Sequence, residues 1–276
     1  MNEWLLREQE YMAVLLNFDA LGDDDICARC KESSLELYRC STCQGKANYC
    51  RNCTVQLHRD MPLHRVSVWD CVEGCFMVTS LNKIGLIFHL GCHTQHAPCP
   101  HPDSTQNLTI IHTNGIHNLT VQYCSCSLTM ARDLQIFSSR LFPASQQSPQ
   151  TAFSFEVLDQ FRYHHFEGKT SAYTFMNALY RLTDDTGGVE VEVRILGKLS
   201  ENTNMNRQDR VREFRRVSRE WNYLLSRRFS GQYGTSSPLP LTIICPACPH
   251  PGKNIAHDWF NTLPLEQQSV ILYSYP

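Results

Sequence analysis

Between Cys27 and His64 the chain reads CARCKESSLELYRCSTCQGKANYCRNCTVQLHRDMPLH. Three cysteine pairs, each with a two-residue gap, are followed by two histidines. No other stretch limits the fold so strongly. A two-residue gap lets both sulfurs of one tight turn reach a common ion, and a tetrahedral site takes four thiolate or imidazole ligands. Eight ligands complete two such sites. The order of the pairs suits a cross-brace, in which pairs one and three share an ion and pair two joins the histidines. The spacing therefore assigns Cys27, Cys30, Cys50 and Cys53 to a first zinc, and Cys40, Cys43, His58 and His64 to a second. With every position filled by protein, no place is left for a reactive water, so these ions are expected to be structural.

Metal is favoured over disulfides by the character of the chain. Of 14 cysteines in 276 residues, 12 lie between Cys27 and Cys126. Disulfides would need a secreted protein. The N-terminus, MNEWLLREQEYMAVLLNFDA, has no basic start, uninterrupted apolar run or small-residue cleavage site. Leu5, Leu6, Met12, Leu15 and Leu16 suggest a short helix there instead. No run of about 18 apolar residues appears, so no membrane span is expected. With 25 basic against 27 acidic residues, the overall charge singles out no partner, and any nucleic-acid surface must be local.

A second cysteine group is looser. Cys92, Cys99, Cys124 and Cys126 are the ligands expected for a third zinc, with His93 or His117 as alternatives. Asn114-Gly115, between two alternating apolar runs, predicts a hairpin whose Asn and Gly supply positive φ angles, bringing His117, Cys124 and Cys126 near each other. Cys71 and Cys75 have a three-residue gap and read as packing cysteines. Cys245 and Cys248, with His250 and His257 behind them, are candidates for one more site.

The remaining periodicity predicts a strand or buried turn at 80–90, helices over 127–141 and 151–182, and an isolated strand at 189–196. The clearest helix is 210–228, with Val211, Phe214, Val217, Trp221 and Leu224 on one face. Seven arginines occupy much of the rest. Arg212, Arg215, Arg216 and Arg219 are the candidate phosphate contacts. A solvated face paired with Glu213 and Glu220 explains them as well. The fold class expected is α+β, a small zinc-stabilised cross-brace module and short β hairpins followed by a mainly helical region. The expected divisions are a helical tail at 1–26, the double zinc module at 27–69, a second cysteine cluster with a hairpin at 70–130, helices at 131–230, and a linker with the CPACP tail at 231–276.

The ligand order of 27–64 resembles that of B-box and related zinc fingers. Further along come HRVSVWD, SLNKIGLIFHLG, HTNGIHNLTVQYCSC, RLFPAS with SPQTAFSFEVLDQF, KTSAYTFMNALYRLTD, VREFRRVSREW and ICPACPHPGKNIAHDW. In this order they resemble the cysteine-cluster region of fungal KDZ (Kyakuja, Dileera and Zisupton) transposases. The resemblance implies an accessory zinc region ahead of a catalytic domain of RNase H type, whose acidic residues hold divalent metal for strand cleavage and joining. Such carboxylates are not recognisable here, so a non-enzymatic chain, truncated before that core, is expected. The implied partners are DNA of the transposon ends, or a protein partner or second copy, and the implied location is nuclear. The alternative is a B-box-like protein–protein module with no nucleic-acid role. A RING-like ubiquitin ligase also uses a cross-brace, but the two closing histidines argue against it.

Overall fold

A computed structural model describes residues 2–22, 25–91, 95–96, 99–126, 130–183 and 203–229. The strand expected at 189–196 and the candidates Cys92, His93, Cys245 and Cys248 lie outside the described residues. The fold is α+β. Among the described residues it has seven helices and two sheets: α1 (Asn2–Leu6), α2 (Glu8–Asp19), β1 (Leu37–Cys40), β2 (Tyr49–Cys50), α3 (Arg51–Leu57), β3 (Val66–Asp70), β4 (Cys75–Thr79), β5 (Ile87–His89), β6 (Pro102–His112), β7 (Gly115–Cys124), α4 (Arg132–Ser138), β8 (Leu141–Pro143), β9 (Thr151–Ser154), α5 (Phe155–Gly168), α6 (Ala172–Thr183) and α7 (Thr203–Phe229).

The first sheet has the order β2-β1-β3-β4, with each neighbour antiparallel. β4 makes it extend past residue 69. The second sheet has the order β5-β7-β6-β9-β8. Its centre is the predicted hairpin, β6 against β7, while β5 joins β7 and β9 joins β6 in parallel. Alternation explains how this sheet is covered on both faces. Leu108, Ile110, Leu119, Val121 and Tyr123 share one buried core with Tyr38, Cys40 and Val66 of the first sheet. Ala152 joins that core, and its neighbour Phe153 meets Phe214 with ring centroids 5.3 Å apart. Phe214 in turn meets Phe161 at 4.8 Å and stacks on Phe175 at 5.8 Å. The sheet thus lies between the metal-rich module and an aromatic layer from α5, α6 and α7.

Local chemistry sets the ends of α5. Ser154 accepts a hydrogen bond from the Val157 N–H at 3.2 Å and caps the helix. Lys169 then takes a left-handed conformation, φ +50°, and stops it.

Several local expectations change. Of the helix expected at 127–141, the described residues form helix over Arg132–Ser138, and Leu141–Pro143 is strand. Thr151–Ser154 is strand as well, ahead of α5. The 80–90 stretch gives a turn and then the short strand β5. In α7 the buried face runs Val211, Phe214, Val217, Trp221 and Leu225, whereas Leu224 is exposed. The hairpin closes on Thr113 and Asn114, because His112 pairs with Gly115. Positive φ therefore falls on Gly115, at +125°, and not on Asn114.

The chain divides into two compact units, Met1–Ser218 and Arg219–Pro276. Of the second, residues 219–229 are described, the C-terminal part of α7, with Trp221 and Leu225 buried. At the other end, α1 and α2 form as the apolar spacing suggests, but no residue of α2 is buried. The chain leaving α2 is anchored to the first sheet through Arg39, which donates to the carbonyls of Phe18 and Ala20.

Candidate metal centres

The fold brings together the two tetrads expected from the spacing. In site 1 the sulfurs of Cys27, Cys30, Cys50 and Cys53 all lie within 4.8 Å of one another. The Cys27–Cys30 knuckle closes through the Lys31 N–H, which donates to the Cys27 carbonyl at 3.0 Å while Lys31 adopts φ +64°. Cys50 ends β2 and directly precedes α3, so Cys53 falls on that helix's first turn and faces inward. Four thiols this close cannot all ionise without a cation among them. Their protons divide accordingly. Burial raises Cys27, yet backbone N–H groups of Cys50, Cys30 and Arg29 overcome it and hold the thiol at about 6. Cys53 is pushed up to about 12, by burial first and then by its neighbouring thiols.

Site 2 interleaves with site 1 along the chain. Cys40 ends β1, and the Cys43 N–H donates back to the Cys40 sulfur at 3.3 Å, closing the second knuckle. His58 follows α3. Its Nδ1 lies 2.8 Å from the Thr54 carbonyl, an acceptor, so that nitrogen carries the proton. The lone pair on Nε2 then faces the Cys43 sulfur at 3.6 Å. This backbone bond orients the ring as ligand histidines are commonly oriented. His64 presents Nδ1 to Cys40 at 3.5 Å and to Cys43 at 3.3 Å. Burial raises Cys40, but the His58 ring and nearby backbone N–H groups bring it down to about 7.

Three thiols make the third cluster. Cys99 lies 3.4 Å from Cys124 and 3.3 Å from Cys126, sulfur to sulfur. Backbone N–H groups of His101 and Cys126 point at the sulfurs of Cys99 and Cys124, as suits thiolates bound to a cation. The fixed point is Gln135, which spacing alone did not reveal. Its Oε1 accepts from the Cys124 N–H at 2.9 Å, and its Nε2 donates to the carbonyls of Cys124 and Met130. Gly91, φ +105°, packs so closely that an added Cβ would collide with that of Cys124.

Other candidates are placed elsewhere. His117 is a hydrogen-bonded hairpin residue, 2.7 Å from Asn114 Oδ1, and outside the thiol cluster. Burial, then the Arg65 guanidinium, holds its pKa down to about 3. Cys71 and Cys75 are not packing cysteines. Both are exposed at the β3–β4 turn, because Asp70 Oδ1 takes the N–H groups of Val72 and Glu73 and turns the chain away from the core. Arg212, Arg215 and Arg219 are exposed on α7. Arg212 reaches Asp209 at 3.5 Å, and Arg216 donates to the Ala144 carbonyl.

An α+β scaffold carrying clustered thiols and imidazoles, arranged so that they could hold metal ions, defines a cysteine-cluster protein. Comparison adds that residues 81–187 match the family model described as the CxC2 like cysteine cluster associated with KDZ transposases. The match spans β5 through α6 and the third cluster. It identifies a cysteine cluster and not a catalytic domain. No curated protein and no solved structure matches the chain. No described helix is long and apolar enough to cross a membrane.

Proposed function

We propose that the chain is a zinc-binding, non-catalytic recognition region that works with a KDZ-type transposase in the nucleus. The observation that carries this reading is the pair of complete, interleaved ligand sets beside the family-matched domain. A set of four thiolates, and a set of two thiolates with two imidazoles, both suit zinc among the common divalent ions. Four protein ligands per ion leave no position for substrate. Zinc here organises surfaces. At the third cluster Cys92 is proposed as the fourth ligand, with His93 as the alternative. In the tail, Cys245 and Cys248 are proposed to hold metal by their spacing alone.

The partner proposed is DNA, met through phosphate contacts by the exposed Arg212, Arg215 and Arg219. Affinity for a duplex that falls steeply between 50 and 200 mM salt, and that drops further when these arginines become Glu, supports it. A second reading is a protein-binding module. It is favoured by the exposed Trp4, Leu6, Leu15 and Leu16 of α1 and α2, since apolar surface of this kind marks protein contacts. Salt-insensitive self-association with no duplex binding would select it.

A further inference from the structure

The loop that closes site 2 also holds the tip of the β6–β7 hairpin. Asn114 is fastened from three sides. Its Nδ2 donates to the Leu63 carbonyl at 2.9 Å, its own carbonyl accepts from Arg65 Nε at 2.8 Å, and its Oδ1 meets His117 Nε2 at 2.7 Å. Leu63 and Arg65 flank the ligand His64. Burial holds the pKa of His117 far below the ordinary range, so that ring is neutral and donates from Nε2.

Arg65 is tied in turn to the Cys40–Cys43 knuckle. Its backbone N–H donates to Thr42 Oγ1 at 3.0 Å, and its carbonyl accepts from the Ser41 N–H at 2.9 Å. Glycine is needed at 115, because a Cβ there would collide with Arg65 Nη2 and Thr183 Oγ1, besides the left-handed φ. Past the tip, the Ile116 N–H donates to Thr183 Oγ1 at 2.8 Å, and Thr183 donates to the Leu179 carbonyl in α6. A continuous path therefore runs from the second knuckle through Arg65 and Asn114 to the last turn of α6. The guanidinium is kept here at a cost. Its Nη2 is buried with no partner among the described residues, and burial lowers its pKa.

We infer that metal held at site 2 fixes the tip of the β6–β7 hairpin, so that loading of this one site is transmitted into the family-matched domain. The inference rests on the metal reading of Cys40, Cys43, His58 and His64. Without the ion, His64 and the knuckle lose their common centre, and Leu63 and Arg65 lose the backbone placement their bonds to Asn114 require. Site 1 reaches the same sheet away from the tip: Arg51, beside Cys50, donates to the Ile84 carbonyl, and Asn82 of that turn accepts from Thr120 in the middle of β7.

The test is amide hydrogen exchange across residues 108–123 of the full chain, with metal content measured on each sample. His64→Ala should lower the metal content by one ion per chain and speed exchange at 113–116 by about tenfold or more. Cys30→Ser should lower the metal content at site 1 and leave the tip unchanged. Asn114→Ala, which touches no ligand, should keep every ion and still speed exchange at the tip. That variant decides the matter if His64→Ala does not fold. Unchanged tip protection in His64→Ala despite a lost ion overturns the coupling while leaving the metal reading intact. So does unchanged protection in Asn114→Ala, or equal loosening in Cys30→Ser. Undiminished metal content in His64→Ala overturns the metal reading and the coupling with it.

Discussion

The two sheets are built on different physical supports. The first, β2-β1-β3-β4, has short strands, and its outer strand β4 is mostly exposed. Its buried residues, Leu37, Tyr38 and Val66 among them, are interspersed with the proposed ligands Cys27, Cys40, Cys53 and His58. The second has a long central hairpin covered on both faces, with Leu108, Ile110, Ile111, Val121 and Phe153 fully buried. A segment of some fifty residues rarely buries enough apolar surface to fold unaided, and metal is a common remedy. The first sheet is thus expected to depend on its ions, and the second on its packing. The two share a core and the Asn114 clamp, so the dependence is graded.

Stripping metal should separate the two most sharply. Structural zinc contributes on the order of 10 kcal/mol to folding small modules. A strong chelator should therefore abolish amide protection in β1 to β4, while the strands β6, β7 and β9 away from the hairpin tip and from the Cys99–Cys126 cluster keep theirs. Equal loss in both sheets would erase the distinction. The opposite perturbation is Phe153→Ala, which empties the centre of the aromatic layer. It should cost about 3–5 kcal/mol in chemical denaturation and leave the metal content of sites 1 and 2 unchanged.

Gly115→Ala acts where the supports meet. A left-handed residue that must also displace Arg65 should cost about 1–3 kcal/mol, and exchange should quicken at the tip before the strands. Ser154→Ala removes the cap of α5 and should cost about 1 kcal/mol, read from a shifted denaturation midpoint.

The same contrast explains what was legible in the sequence. Ligand spacing is a local record of coordination geometry, so Cys27 to His64 could be divided into two sites from order alone, and the structure assembles the same tetrads. The β6–β7 hairpin was readable from Asn114-Gly115 and alternation, because the interactions that make it are local. The turn register was not, since the tip answers to Leu63 and Arg65, some fifty residues earlier. β8 and β9 are three and four residues long and next to helices. β9 exists by pairing in parallel with β6, which leaves no local periodicity to read. Gln135, which fixes Cys124, looks in sequence like any polar residue of a helix. Leu224 and Leu225 lie three and four residues after Trp221, and helical spacing alone suits either.

The measurement closest to the central claim is metal content per chain on purified full-length protein, by native mass spectrometry with elemental analysis, in wild type, Cys50→Ser and Cys43→Ser. The account predicts zinc at two or more ions per chain, with one ion lost in each variant. Fewer than two ions in the wild type, or content unaffected by both substitutions, would contradict it.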